Sequence, residues 1–210
     1  MRIVKKFFIM VLTITVMLQT VMQPVYASSA SVTNNDMYAK NVVETINIEG
    51  INYTYHYFYS GENRAIEIAN DVNNNVDIII YDEVQSKMYV NGQEIVFVDC
   101  TAQTPALMYT DDWETIGTGS HYISWAQGTT VSVVAACFAA YLGSLGAKAV
   151  TLAMGASTLS ILASNCIGGT LYVESQWCHI MFTEPQYRYV WSFTASSGDS
   201  YGPYIAHYTV

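Results

Sequence analysis

The chain has 210 residues, with 8 Lys and Arg against 17 Asp and Glu, so its formal net charge is −9 at pH 7. This acidic balance argues against a nucleic-acid partner, because affinity for phosphates depends on basic surface. The sequence also lacks the HExxH, P-loop and paired CxxC patterns. It therefore predicts a protein that is not an enzyme and that uses no cofactor and no metal.

The N-terminus has the three zones of a secretory signal peptide. A short basic region begins at Arg2 and precedes an apolar run from Phe7 to Leu18. Small residues then lead to a predicted cleavage between Ala27 and Ser28. The apolar run is short for a membrane span, which needs about 20 residues. We therefore predict that residues 1–27 are a signal peptide and that the mature protein is secreted and extracellular.

The acidic segment 28–98 reads as a β-rich pro-domain. Its apolar and β-branched residues alternate with polar ones, as expected of strands in an antiparallel meander. The dipeptide Asn91-Gly92 is a strong signal for a tight hairpin. The predicted strands are Thr45–Ile51, Tyr53–Tyr59, Ala65–Ala69, Val76–Tyr81, Lys87–Val90 and Glu94–Val98.

Four tyrosines of one predicted strand share a face, because alternate residues of a strand point the same way. They are Tyr53, Tyr55, Tyr57 and Tyr59. The favoured interpretation is a half-buried face of the sheet. The alternative is an exposed platform on which carbohydrate or cell-wall rings stack.

Residues 99–112 are predicted to form a linker with a possible processing site. After it, residues 113–210 carry few charges, and a shift in charge density often marks a domain boundary. The C-terminal domain holds an apolar segment, 130–164, that fits two helices over Thr130–Leu142 and Ala147–Ser164. Predicted strands flank it at Thr115–Trp125, Thr170–Glu174, Trp177–Phe182, Tyr187–Thr194 and Tyr204–Thr209. The predicted fold class is α+β, with an N-terminal antiparallel β meander and a C-terminal apolar helical hairpin flanked by antiparallel strands.

Small residues recur every four positions along this hairpin, a spacing that lets helices approach closely within lipid. The candidate membrane-insertion residues are these small residues together with the inter-helix turn: Ala135, Ala139, Gly143, Gly146, Lys148, Ala149, Ala153 and Ser157. The single cation, Lys148, could reach a polar boundary from the tip of an inserted hairpin. Helices that are apolar on all sides also form the buried core of water-soluble domains. The residues leave both interpretations open.

The cysteines after the signal peptide are Cys100, Cys137, Cys166 and Cys178, and export permits disulfides between them. Four cysteines allow three complete pairings. The pair closest in sequence, Cys166 with Cys178, is the possible disulfide that we favour slightly.

The layout resembles secreted bacteriocin precursors of Gram-positive bacteria, specifically the perfrin type from clostridia. The features that carry the resemblance are the apolar hairpin Val131–Ile167 with its Gly143-Ser144-Leu145-Gly146 turn, and the aromatic tail Tyr187–Phe193. The hairpin is also loosely similar to secreted sporulation-killing toxins of bacilli. The resemblance covers about the last 100 residues and the order of the parts.

This resemblance implies an antimicrobial toxin that is exported as a precursor and released by proteolysis within residues 99–112. The C-terminal fragment would insert into the membrane lipid of competing bacteria and permeabilise it, and a cognate immunity protein would protect the producer. The alternative, from a different class, is a non-toxic secreted or surface-associated binding protein whose helical hairpin is a buried core.

Overall fold

The computed structural model describes residues 37–73, 75–100, 113–126, 128–164, 168–178 and 184–208. The predicted signal peptide, with its cleavage site at Ala27 and Ser28, lies outside the described residues. So does the predicted linker beyond Cys100, and the processing site with it.

Ten strands of the described chain form one antiparallel sheet, and their spatial order follows the sequence from first to last. Each strand therefore pairs with the strands before and after it in the chain. The bounds are β1 Val43–Ile48, β2 Ile51–Ser60, β3 Asn63–Asn70, β4 Val76–Asp82, β5 Lys87–Val90, β6 Gln93–Asp99, β7 Glu114–Ser124, β8 Gly169–Cys178, β9 Gln186–Ala195 and β10 Ser200–Tyr208.

The front half of the described chain, residues 37–99 with strands β1–β6, matches the predicted meander closely. Strand β5 spans the predicted residues, and the turn to β6 has positive φ at Asn91 (52°) and Gly92 (78°). Two positive φ values are what a tight two-residue hairpin requires. In β2, Tyr55 and Tyr57 are fully buried, whereas Tyr59 is 42% exposed. The tyrosine face is thus part of the core, and its interpretation as an exposed stacking platform is wrong.

Three short helices lie between β7 and β8 in the chain: α1 Val131–Leu142, α2 Ala147–Met154 and α3 Ala156–Ser164. The hydroxyl of Thr130 accepts a hydrogen bond from the Val133 amide and caps the start of α1. The predicted second helix, Ala147–Ser164, is two helices because Gly155 adopts φ 79° and ψ 143°, which no helix contains. Glycine alone adopts such a conformation without strain.

The predicted α+β fold class is wrong. The strands before and after residues 99–112 belong to one sheet, because β6 pairs with β7 from Val96–Ser124 to Asp99–His121. The helices are an insertion between two neighbouring strands of that sheet. The described residues are mostly β, with three short helices. Strand β8 is also continuous where we predicted two strands, Thr170–Glu174 and Trp177–Phe182.

The sheet curls around the helices. Helix α1 contacts β3 and β4, and α2 contacts both β1 and β10, which are the first and last strands of the sheet. All but two of the residues of α1 are buried, and its Phe138 packs against Trp125 and Phe193 in edge-on contacts. The indole of Trp125 donates a hydrogen bond of 3.1 Å to the Leu162 carbonyl and so fixes α3 to the same core. In this state the apolar helices are the core of the protein.

Candidate functional site: the buried hairpin and its clasp

The predicted insertion residues fall into three groups in the structure. Ala135, Ala139, Ala149 and Ala153 are buried in the core. Lys148 and Ser157 are exposed at the surface. Gly143 and Gly146 lie in the turn between α1 and α2, and this turn is held by side chains from the front half of the chain.

Tyr57 and Glu44 hold the first residues of α2. The buried Tyr57 hydroxyl accepts a hydrogen bond of 2.7 Å from the Ala147 amide and donates one to Glu44. The same carboxylate accepts a hydrogen bond of 3.0 Å from the Lys148 amide. The first amides of a helix have no partner within it, and a negative charge there is stabilised by the helix dipole. Tyr57 and Glu44 therefore supply the hydrogen-bond acceptors that the first amides of α2 lack within the helix.

Arg64 holds the last turn of α1. Its Nη1 atom donates to the carbonyl oxygens of Ala140 at 3.2 Å and Tyr141 at 3.4 Å. Its Nη2 atom lies 2.9 Å from an Oε atom of Glu83. A cation at the end of a helix is favourable because the unpaired carbonyls carry partial negative charge. We call Glu44, Tyr57 and Arg64 the clasp.

Two further front-half hydroxyls reach the backbone of α1. Tyr38 donates to the Ala139 carbonyl and Tyr55 to the Ser132 carbonyl, each at 3.5 Å. These bonds are at the long limit for hydrogen bonds, so they contribute less than those of the clasp. The front half of the chain thus covers the hairpin and also binds its backbone at the end of α1 and at the start of α2.

Close approach of the clasp explains the two turn glycines. A Cβ atom at Gly143 would collide with the Arg64 guanidinium, and one at Gly146 would lie 2.6 Å from an Oε atom of Glu44. Sequence reasoning placed Gly143 in a small-residue stripe for packing in lipid and both glycines in the inter-helix turn, and it missed the clasp. The residues of the clasp are 76 or more positions away from the hairpin residues that they bind, and no local pattern signals such contacts.

Burial, followed by the neighbouring Glu44 carboxylate, raises the pKa of Tyr57 well above its usual value. The hydroxyl therefore stays protonated at any physiological pH and remains a donor to Glu44. Burial raises the pKa of Cys137 to about 12, so that this thiol is unreactive.

The possible disulfide cannot be placed, because Cys166 lies outside the described residues. The other three cysteines, Cys100, Cys137 and Cys178, form no disulfide among themselves. Within the described ranges, no group of His, Cys, Asp and Glu side chains could hold a metal ion.

Among the described helices, none is long and apolar enough by itself to cross a membrane. Helices α1 and α2 meet those criteria only as a pair that is bent by 112°. Comparison with known proteins finds no matching family model, no similar curated protein and no similar solved structure.

Proposed function

We propose that the protein is a secreted bacteriocin precursor whose C-terminal fragment kills competing bacteria by inserting into and permeabilising their membrane. The observation that carries this proposal is the clasp. The apolar hairpin is buried under front-half strands, and its turn is held by Glu44, Tyr57 and Arg64 of that same half. The front half would act as a pro-region that keeps the hairpin out of contact with membranes until it is removed.

Loss of the front half would change the surroundings of α1 and α2 in two ways. The faces of α1 that β3 and β4 cover would meet water, and exposed apolar surface costs about 25 cal/mol for each Å². The amides of Ala147 and Lys148 and the carbonyls of Ala140 and Tyr141 would lose their partners. Large exposed apolar patches are characteristic of surfaces that bind protein or membrane.

Insertion as a bent pair would suit the lengths of the helices. At about 1.5 Å per residue, the 12 residues of α1 measure about 18 Å, well below a hydrocarbon core of about 30 Å. A bent pair that enters from one side without crossing would avoid this mismatch. The partner is then the lipid of the target membrane, and killing by loss of ion gradients needs no catalysis and no cofactor.

The test uses the mature chain with a specific protease site placed within residues 101–112. Dye release from lipid vesicles is measured before and after cleavage. The key variant is Leu152→Asp, because this α2 residue is 45% exposed in the precursor and tolerates a charge there. A charge in the centre of an inserted helix costs about 2.5–3.5 kcal/mol. The matched control is Val84→Asp, at an 83% exposed position in the turn between β4 and β5.

We expect cleavage to trigger dye release, Leu152→Asp to abolish it and Val84→Asp to leave it unchanged. The folded precursor should be equally stable in all three proteins. Cleaved protein that neither releases dye nor inhibits bacterial growth would refute the proposal. The protein would then be a non-toxic secreted binding protein, with the hairpin as a permanent core.

A further inference from the structure

A cleft of about 440 Å³ and another of about 280 Å³ open on the described surface, and the smaller one has the composition of a ligand site. The smaller cleft lies beside the clasp. Its lining includes Arg64, Tyr81 and Glu83 from the front half, and Gly117, Tyr141 and Tyr189 from the back half.

The aromatic walls of this cleft are held rigidly. The rings of Tyr81 and Tyr141 meet edge-on at 6.0 Å, and Phe97 packs against both. On the other wall, the ring of Tyr189 stacks on Tyr208 at 4.6 Å. Because neighbouring rings already fix each tyrosine, these side chains would lose little conformational entropy when a ligand binds.

Gly117 and Gly119 leave this part of the cleft open. The position of Gly119 lies directly against the Tyr141 hydroxyl, so any side chain there would displace that ring. The position of Gly117 is different, because a Cβ atom there would meet only Ser175 at an ordinary distance of 3.9 Å. A larger side chain at Gly117 can therefore fill the cleft without a clash at its base.

The polar groups of the cleft are balanced in charge. Arg64 and Glu83 form an ion pair at 2.9 Å, and Glu83 is the more exposed partner, at 65%. Burial raises the pKa of Tyr189 to about 12 and also raises the pKa of Tyr81, so both hydroxyls stay neutral. The cleft therefore offers paired donors and acceptors beside aromatic faces, with no net charge to attract an ion.

We propose that this cleft binds a neutral polyhydroxylated ligand, namely a single sugar unit of a glycan. The apolar face of a sugar ring packs on tyrosine rings, and in this cleft Tyr141 and Tyr189 are the partly exposed ones. Adjacent sugar hydroxyl groups bind a guanidinium and a carboxylate together. The Arg64–Glu83 pair carries no net charge, so it favours neither a cation nor an anion over a neutral ligand. The volume is close to the lower limit of small-molecule sites, about 300 Å³, which suits one ring. This inference is independent of toxicity, because it concerns the folded chain before any cleavage.

The test is isothermal titration of the full mature chain with glucose and with N-acetylglucosamine, and separately with choline chloride and inorganic phosphate. We expect saturable binding of at least one sugar with a Kd of about 1 mM, equivalent to about −4 kcal/mol. Gly117→Leu should weaken binding at least tenfold (~10-fold corresponds to about 1.4 kcal/mol). The matched control Thr115→Leu, on the same strand at an exposed position outside the cleft, should bind as the unmodified chain does.

Glu83→Gln provides a second variant that keeps the fold, because the side chain is mostly exposed, and it should weaken sugar binding several-fold. Failure of both sugars to bind would overturn the proposal. Binding that is unchanged in both Gly117→Leu and Glu83→Gln would also overturn it, as would binding of choline or phosphate in place of sugar. Dye release by the cleaved protein is a separate measurement, so the two proposals can fail independently.

Discussion

Removal of one hydroxyl group from the clasp should destabilise the protein far more than removal of its neighbour two residues away. Tyr57→Phe deletes the acceptor of the Ala147 amide and the donor to Glu44. Tyr55→Phe is the matched control, because both tyrosines lie on β2 and both rings are fully buried. The Tyr55 hydroxyl makes only a bond of 3.5 Å to the Ser132 carbonyl.

The loss of stability in Tyr57→Phe follows from the two groups that lose their partner, the Ala147 amide and the Glu44 carboxylate. A buried amide without a partner costs about 1–3 kcal/mol, and the lost bond to a carboxylate adds a further amount of similar order. Glu44 keeps its bond to the Lys148 amide and is only half-buried, so water compensates for part of that second loss. We therefore expect Tyr57→Phe to lower the free energy of unfolding by about 3 kcal/mol, and Tyr55→Phe by less than about 1 kcal/mol.

Urea unfolding of the chain from Ser28 onward, followed by tryptophan fluorescence, measures this difference. With a urea dependence of about 2 kcal/mol per M, the midpoint should fall by about 1.5 M in Tyr57→Phe and by less than about 0.5 M in Tyr55→Phe. Equal shifts in the two variants would refute the role of Tyr57 as a helix cap. A changed slope would instead indicate that the variant no longer unfolds in one step.

Two further predictions concern His121 and Gly155. Burial lowers the pKa of His121 below its usual value of about 6.5, and Asp99 opposes this shift only in part. The contribution of His121 to stability is therefore fully present above about pH 6.5. It should be lost as the pH falls, because the histidine of the unfolded chain takes up a proton first. Urea midpoints at pH 5 and pH 7.5 should therefore differ less in His121→Phe than in the unmodified chain, and an unchanged difference would contradict the assignment. Gly155→Ala forces alanine to φ 79° and should cost about 1–3 kcal/mol in thermal unfolding, whereas Ser157→Ala, on the exposed face of α3, should stay within about 0.5 kcal/mol.

Local patterns predicted the strands of the front half well, because alternation and turn residues act over a few positions. The Asn91-Gly92 hairpin and the strand Lys87–Val90 are examples. Local patterns also located the apolar helices, with an error at Gly155. A single glycine inside an apolar run is compatible with a continuous helix, and only the backbone geometry shows that it separates α2 from α3.

The assembly of the two halves could not be predicted in the same way. The pairing of Asp99 with His121 joins strands that are separated by a segment with no strand pattern of its own. The contacts of Arg64 with α1 join residues 76 and 77 positions apart. The residues of the apolar hairpin left its surroundings open, because burial within lipid and burial within a protein select the same side chains.

The strict order of the ten strands has a topological consequence for a chain cut between β6 and β7. No strand of the front piece is interleaved with a strand of the back piece, so the two can part without unthreading. In the sheet itself, parting breaks the pairing from Val96–Ser124 to Asp99–His121 and the adjoining hydrogen bond from the Cys100 amide to the Ser120 carbonyl. Each piece would then present a newly unpaired strand edge, and such edges readily recruit another chain.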